Sequence, residues 1–253
     1  MAGAVAGALP ALADLEKLAD AVVETAGGAE RLGQLGWERV EDSFFSHPAD
    51  ALGNQAKVTT SLRRDGSLKV FFEYPSGDSE QRVMLHREEF LQPRMSSSLA
   101  IATGGRQQYV EWDWESSRLP VILLEAERLE PLPTRVEEGR TLVGMKVTIP
   151  EMNPPFEVWI DLAGPVIAEL STDLPLLGDL SPNGWAKHQQ FWSDYRFVDG
   201  VLFPFRRDTW VEGRRSVLAE TRSLRIGAQF EDSFFVPDDW KPGDVPTPPP
   251  KDR

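Results

Sequence analysis

The run Glu111-Trp112-Asp113-Trp114-Glu115 holds the densest set of reactive side chains in the sequence. In a strand its three carboxylates share one face and its two indoles the other. Neighbouring carboxylates do acid–base work when their surroundings split their pKa values. Here the tryptophans claim the buried side, which leaves the acids on a solvated face. Arg206-Arg207 and Arg214-Arg215 have the guanidinium chemistry that binds anions, but both pairs flank a turn and read as solvated hairpin ends. The three histidines, His47, His86 and His188, lack the helical spacing of a zinc site. Asp238-Asp239 lacks the spacing of a calcium loop. There is no Gly-x-Ser-x-Gly elbow, no Gly-Lys-Ser/Thr phosphate loop and no Gly-x-Gly-x-x-Gly turn. With no cysteine, thiol catalysis, disulfides and iron–sulfur clusters are excluded. The sequence therefore predicts no catalytic residue, no metal and no cofactor.

A different kind of residue dominates the stretch 191–220, FWSDYRFVDGVLFPFRRDTWVEGRRSVLAE. Phe191, Trp192, Tyr195, Phe197, Phe203, Phe205 and Trp210 form more aromatic surface than one small meander hides. By alternation, Phe191, Tyr195 and Phe197 fall on one face, and Trp192 and Val198 on the other. Something must cover these rings: a second sheet, a helix or a ligand.

The elements that could do so are legible from hydrophobic period. Leu15, Leu18, Ala19, Val22, Val23 and Ala26 mark an amphipathic helix over 14–26, with Asp14 as its cap and Gly27-Gly28 as its stop. From Trp37 onward the period becomes two. Strands are expected at Val58–Leu62, Leu68–Tyr74, Arg82–His86 and Gln107–Trp114. Thr141–Ile149 places Val143, Met145, Val147 and Ile149 on one face. Phe156, Val158 and Ile160 share the next, and Val166, Ala168 and Leu170 another. Turns fall at Asp65-Gly66 and Pro75-Ser76-Gly77. A second apolar helix is expected over 117–129, with Pro120 in its first turn. The sum is one mainly β, α+β domain: ten or eleven antiparallel strands and two apolar helices. A sheet that wide curls, and its apolar face needs the helices as cover.

Length and charge bound the partners. The chain has 253 residues, 41% of them apolar, and a net charge of −13. That balance excludes phosphate-backbone recognition, so no nucleic-acid partner is expected. No stretch of about 18 apolar residues spans a membrane. The start, MAGAVAGALPALA, ends in Ala11-Leu12-Ala13, the pattern of a signal-cleavage site. It reads as the remnant of an export signal or as a flexible Ala/Gly tail. Five prolines in the last twelve residues mark 241–253 as an extended tail. The expected organisation is thus a leader at 1–13, one domain at 14–240, and the tail.

Several short motifs add a resemblance. Asp194-Tyr195-Arg196, Val198-Asp199-Gly200, Phe203-Pro204 and Asp232-Ser233-Phe234-Phe235-Val236-Pro237 occur in that order, preceded by AGGAERLGQL at 26–35. The order and spacing resemble LolA-like proteins, relatives of the periplasmic outer-membrane lipoprotein carrier. The resemblance implies an incomplete antiparallel β-barrel of about eleven strands, lidded by helices over an apolar cavity for acyl chains. It also implies a periplasmic or secreted monomer that exchanges its hydrophobic ligand with a membrane-protein donor or acceptor. In the carrier, a basic residue in a segment of the type Arg-Pro-x-x-Phe-x-Trp helps hold the lid closed. The comparable segment here, SLKVFFEYPSG (67–77), has no such Arg, so no lid-locking residue carries over. The residues expected to line the ligand site are Val70, Phe72, Val110, Trp112, Leu119, Ile122, Phe156, Val158, Tyr195 and Phe203. The alternative is an extracytoplasmic protein–protein module whose rings are ordinary core.

Overall fold

The structure, a computed structural model, describes residues 10–33, 36–46, 54–63, 65–85, 89–93, 99–101, 116, 118–150, 154–175 and 185–235. The expected strand at Gln107–Trp114, the carboxylates within it, His47, His86, Val110, Trp112 and the Pro-rich tail lie outside these residues.

Fourteen strands among the described residues join in one antiparallel sheet. The first half runs β1 (Trp37–Phe45), β2 (Gln55–Leu62), β3 (Leu68–Glu73), β4 (Ser79–Leu85), β5 (Glu89–Pro93) and β6 (Leu99–Ile101). The second runs β7 (Arg128–Pro131), β8 (Arg135–Glu137), β9 (Arg140–Thr148), β10 (Phe156–Asp161), β11 (Val166–Pro175), β12 (Trp185–Val198), β13 (Val201–Val211) and β14 (Arg214–Ile226). Spatial order is β6-β5-β4-β3-β2-β1-β14-β13-β12-β11-β10-β9-β7, with β8 paired to β9. The sheet is curled but not closed. Its two halves are stitched at the centre, where β1 meets β14 and Trp37 stands opposite Ile226. The count exceeds the expected eleven because short pieces such as β6 and β8 join the edges.

Among the described residues, three α-helices with stated bounds accompany the sheet: α1 (Leu12–Thr25), α2 (Ala29–Leu32) and α3 (Val121–Leu124). Helix α1 begins two residues before the expected start. Its cap is Ala11, whose carbonyl accepts from the N–H groups of Asp14 and Leu15. Asp14 instead sits in the first turn, where a carboxylate favours the helix dipole. The expected helix over 117–129 shrinks to the single turn of α3. The Glu127 N–H donates to the Thr148 carbonyl at 2.8 Å, and Arg128 and Leu129 pair with Thr148 and Val147. Pairing with β9 satisfies those backbone groups better than two further helical turns would, so tertiary context overrides the local apolar pattern.

The inner face of β9–β11 carries the core. Val143, Met145, Val147, Phe156, Val158 and Ile160 are all buried in one cluster with Leu15, Val22 and Val23 of α1. The alternation expected in β11 fails. A register shift between Trp159 and Ile160 sets Ile160 opposite Ile167 and Val158 opposite Leu170. Ile167 and Leu170 therefore face the core, while Ala168 joins Trp159 and Leu142 in a small cluster of its own. That second cluster requires Gly144, where a Cβ would meet the Trp159 ring at 2.6 Å.

Candidate ligand-binding site

Helix α1 lies over β7 and β11 and against α3. Its apolar stripe, Leu15, Ala19, Val22 and Val23, is buried, and each branched side chain stabilises the closed arrangement by roughly 1.5–3 kcal/mol. The C-terminal end is pinned. The Gly28 N–H donates to the Val23 carbonyl at 2.9 Å, and the Leu202 N–H donates to the Ala26 carbonyl at 3.1 Å. Gly27 has φ +126°, and a Cβ there would stand 2.9 Å from the Gly200 carbonyl oxygen. Helix α1 is thus fastened to the β12–β13 turn, where Asp199 and Gly200 both have positive φ. Beside α3, Arg118 makes two hydrogen bonds to the Glu125 carboxylate, one at 2.9 Å.

Two cavities lie at this helix–sheet seam. One, of about 80 Å³, sits between Leu32, Trp37, Leu62, Leu119, Val121 and Phe203, with Arg63, Arg118 and Glu125 also lining it. The other, of about 10 Å³, is bounded by Val22, Ala26, Leu119, Pro165, Ile167 and Tyr195 among others. The smaller is about the size that admits one water. Even the larger falls below the ~300–1,000 Å³ of ligand pockets. Among the described residues, α1 and α3 are packed down on the sheet at this seam.

Most of the sequence-named lining residues converge there. Leu119, Ile122, Phe156, Val158 and Phe203 are buried in the core cluster, and Val70 and Tyr195 pack against it. Leu119 borders both cavities. Phe203 meets Trp37 edge to face, centroids 5.5 Å apart. Phe72 is on the same side of the sheet, opposite Val58, but is only half-buried and stacks on Tyr74.

Tyr195 reaches the core against its parity. Asp194 has φ +55°, which breaks the alternation of β12. Trp192 is buried, Phe191 packs against Trp210 (6.2 Å), and Phe197 is 68% exposed. Beyond the break Tyr195 turns in and its hydroxyl donates to the Ile167 carbonyl at 2.5 Å. Burial pushes that phenol well above its usual pKa. The expectation that Phe191, Tyr195 and Phe197 share a face is overturned by this one residue.

Sequence reasoning missed a buried charged group on the same concave face. Arg39 and Glu41 on β1 are each 1% exposed, and Arg39 Nη2 lies 3.2 Å from Glu41 Oε2. Arg207 on β13 comes to 3.7 Å of the same oxygen. The Arg39 guanidinium also lies over the rings of Trp37 (5.2 Å) and Phe203 (5.9 Å). His188 and Gln190 on β12 extend the zone and are buried. The signal was present in Trp37-Glu-Arg-Val-Glu41: if Trp37 points inward, alternation sends Arg39 and Glu41 with it. Likewise Arg207 shares parity with Phe203 and is not the solvated hairpin end expected of it, nor is His188 a surface residue.

Near the opposite edge of the seam, Arg63 joins Asp65 and Asp232 and lies over the Phe235 ring at 5.0 Å. Burial pushes the Asp65 carboxyl up, but hydrogen bonds from Arg63 and Ser67 outweigh it and hold it below the usual carboxylate range. Among the described residues, no cluster of His, Asp or Glu has the makings of a metal site, and no helix is long and apolar enough to cross a membrane.

These features define an incomplete antiparallel barrel whose concave face is covered by short helices. Structural comparison identifies its kind: the chain has a LolA-like fold. It superimposes on a LolA superfamily protein from Nitrosomonas europaea with TM-score 0.59 at 11% identity, covering 87% of this chain and 98% of that one. A domain described as an outer-membrane lipoprotein-sorting protein, from Vibrio parahaemolyticus, aligns at TM-score 0.45 and 12% identity over 87% of this chain and 95% of that one. No protein-family model matches the sequence, and no curated protein does.

Proposed function

We propose that this chain is an extracytoplasmic binding protein, a carrier or sensor, that takes up the acyl chain of a hydrophobic ligand beneath α1 and α3. The observation that carries this reading is the seam. An amphipathic helix fastened at one end covers an apolar concave face, and the unfilled volume lies along the join, around Leu119. The small volumes mean that uptake requires the helices to lift. Freeing Leu15, Val22 and Val23 costs several kcal/mol, and each buried methylene returns about 0.8 kcal/mol. A chain of roughly ten methylenes or more therefore suffices. Val70, Leu119, Ile122, Phe156, Val158, Tyr195 and Phe203 would exchange contacts with the helices for contacts with the chain. The LolA-like fold supports an extracytoplasmic setting.

The packed-down lid also favours a second reading, an interaction module with no lipid ligand. Native mass spectrometry after export through a bacterial periplasm separates the two. Co-purified lipid, or adducts formed on incubation with lauric acid and phospholipid, supports the carrier. A clean apo mass under every condition refutes it in favour of the module.

A further inference from the structure

We infer that one rim of the sheet docks on a zwitterionic lipid surface through three exposed apolar hairpin tips. Acyl uptake beneath the helices gives this contact its purpose, but the docking holds or fails separately from that reading.

Consecutive antiparallel strands turn at alternate ends of a sheet, so the β8–β9, β10–β11 and β12–β13 hairpins all close at one rim. Each leaves a large apolar side chain in solvent there: Val136 is 47% exposed, Leu162 48% and Phe197 68%. The middle tip, Leu162-Ala163-Gly164-Pro165, carries no charge, and its first three residues are exposed. Hairpin tips are ordinarily built from polar residues, because they lie in water. Val136 stands opposite Thr141, whose carbonyl accepts from the Leu162 N–H at 3.1 Å. Phe197 lies two strands further along. Neighbouring strands are about 4.8 Å apart, which spaces the three side chains at roughly 10 Å intervals along the rim.

Both seam cavities lie at this end of the sheet. The smaller is bounded by Pro165, which closes the Leu162 tip, and by Leu202, which stands directly opposite Phe197. The larger is bounded by Trp37, where β1 starts, and by Leu62, where β2 ends. Chain entering or leaving the seam by the shortest route therefore crosses this rim.

The spacing and the charge identify the surface that fits. Three separated side chains cannot bury the area of about 800 Å² that each partner gives a stable protein interface. A lipid headgroup layer deforms around single apolar side chains and takes Phe and Leu to its acyl boundary. Charge on the tips is mixed rather than basic. Arg140 lies 3.7 Å from Asp161, Arg196 is 2.6 Å from Asp194, and Arg135 pairs with Glu137 (3.1 Å) as well as Glu169. Glu138 and Asp199 add negative charge, and Arg31 donates to the Asp199 carbonyl at 3.4 Å. No basic cluster is there to attract anionic headgroups, and the whole chain carries −13.

With no native cysteine, the full chain accepts a single polarity-sensitive NBD label at Phe197→Cys, at Leu162→Cys or, at the far end of β1, at Phe44→Cys, where the native ring is 41% exposed. On addition of phosphatidylcholine vesicles, the label at 197 and 162 should brighten and shift to the blue, and the label at 44 should not. Phe197→Ser should weaken co-flotation of the unlabelled chain with these vesicles about tenfold, and phosphatidylglycerol should weaken it further. Leu162→Ser repeats the test should Phe197→Ser fail to fold. Four results overturn the docking: silence at 197 and 162 with every vesicle, which leaves the rim to a protein partner; an equal response at 44; unchanged flotation of the Ser variant; or binding to phosphatidylglycerol vesicles alone. Laurate adducts in native mass spectra without a vesicle response would sink the docking and leave acyl binding standing. A vesicle response without adducts would do the reverse.

Discussion

Replacing Glu41 by Gln removes a charge and almost no volume, so it isolates the electrostatic part of the concave cluster. The carboxylate oxygen is 3.2 Å from Arg39 and 3.7 Å from Arg207. At an effective dielectric constant near 20, these contacts correspond to gross attractions of about 5 and about 4.5 kcal/mol. Taking the carboxylate out of water offsets several kcal/mol of that. Glu41 Oε2 has no partner in hydrogen-bond geometry, so the interaction is charge on charge rather than directional. Gln cannot replace it, and its amide donors would face two guanidinium groups. The expected loss of unfolding free energy is about 3–5 kcal/mol, as for other buried pairs broken on one side. Arg207→Met should cost less, because Glu41 keeps its closer partner. Equilibrium urea unfolding followed by tryptophan fluorescence measures both, with an unchanged slope showing that the same surface is exposed on unfolding and that the midpoint shift is a change in stability. A Glu41→Gln loss below about 1 kcal/mol, or a larger loss for Arg207→Met, would refute the assignment of Glu41 as the centre of the cluster.

Four further outcomes are expected. Phe156→Ala, at a fully buried core position, should cost about 3–5 kcal/mol in the same assay, whereas Phe72→Ala, half-buried on the same side of the sheet, should cost clearly less. Gly27→Ala should destabilise by more than about 1 kcal/mol and speed hydrogen exchange in α1, because φ +126° and the Gly200 carbonyl both oppose a Cβ. Tyr195 should stay protonated in the native protein well beyond the usual phenol range, since burial raises its pKa. Its contribution to stability is complete below about pH 10 and falls as pH rises past that unfolded-state value, so Tyr195→Phe should flatten the alkaline limb of a stability–pH profile. Asp65 has the opposite sign: its depressed pKa contributes stability above about pH 4 that is lost on acidification, and Asp65→Asn should remove that acid limb.

Much of the fold was legible because period-two alternation is a local property. Val143, Met145, Val147, Phe156, Val158 and Ile160 are buried as their spacing required, and α1 ends at its glycines. The failures have specific causes. The helix expected over 117–129 gave way because strand pairing with β9 competes for the same backbone groups. The faces of β11 and of the end of β12 were misassigned because a bulge opposite Trp159 and a positive φ at Asp194 each insert a half-step that no composition announces. Within the candidate site, Leu119, Ile122, Phe156, Val158 and Phe203 were recoverable as apolar positions. Arg39, Glu41 and Arg207 were passed over because charged residues are read as solvent-facing by default.

Sequence alone determined that the chain is mainly β, that its apolar surface is one-sided, and that an amphipathic helix is available to cover it. Those follow from the identities of neighbours two, three and four residues apart. Only the tertiary structure decided that β1 closes against β14, bringing Arg39 and Glu41 within reach of Arg207, about 170 positions away in the chain. The physical reason is that a side chain's face is set locally, whereas its partner is set by sheet order. The charges of the concave face have meaning only once both are known.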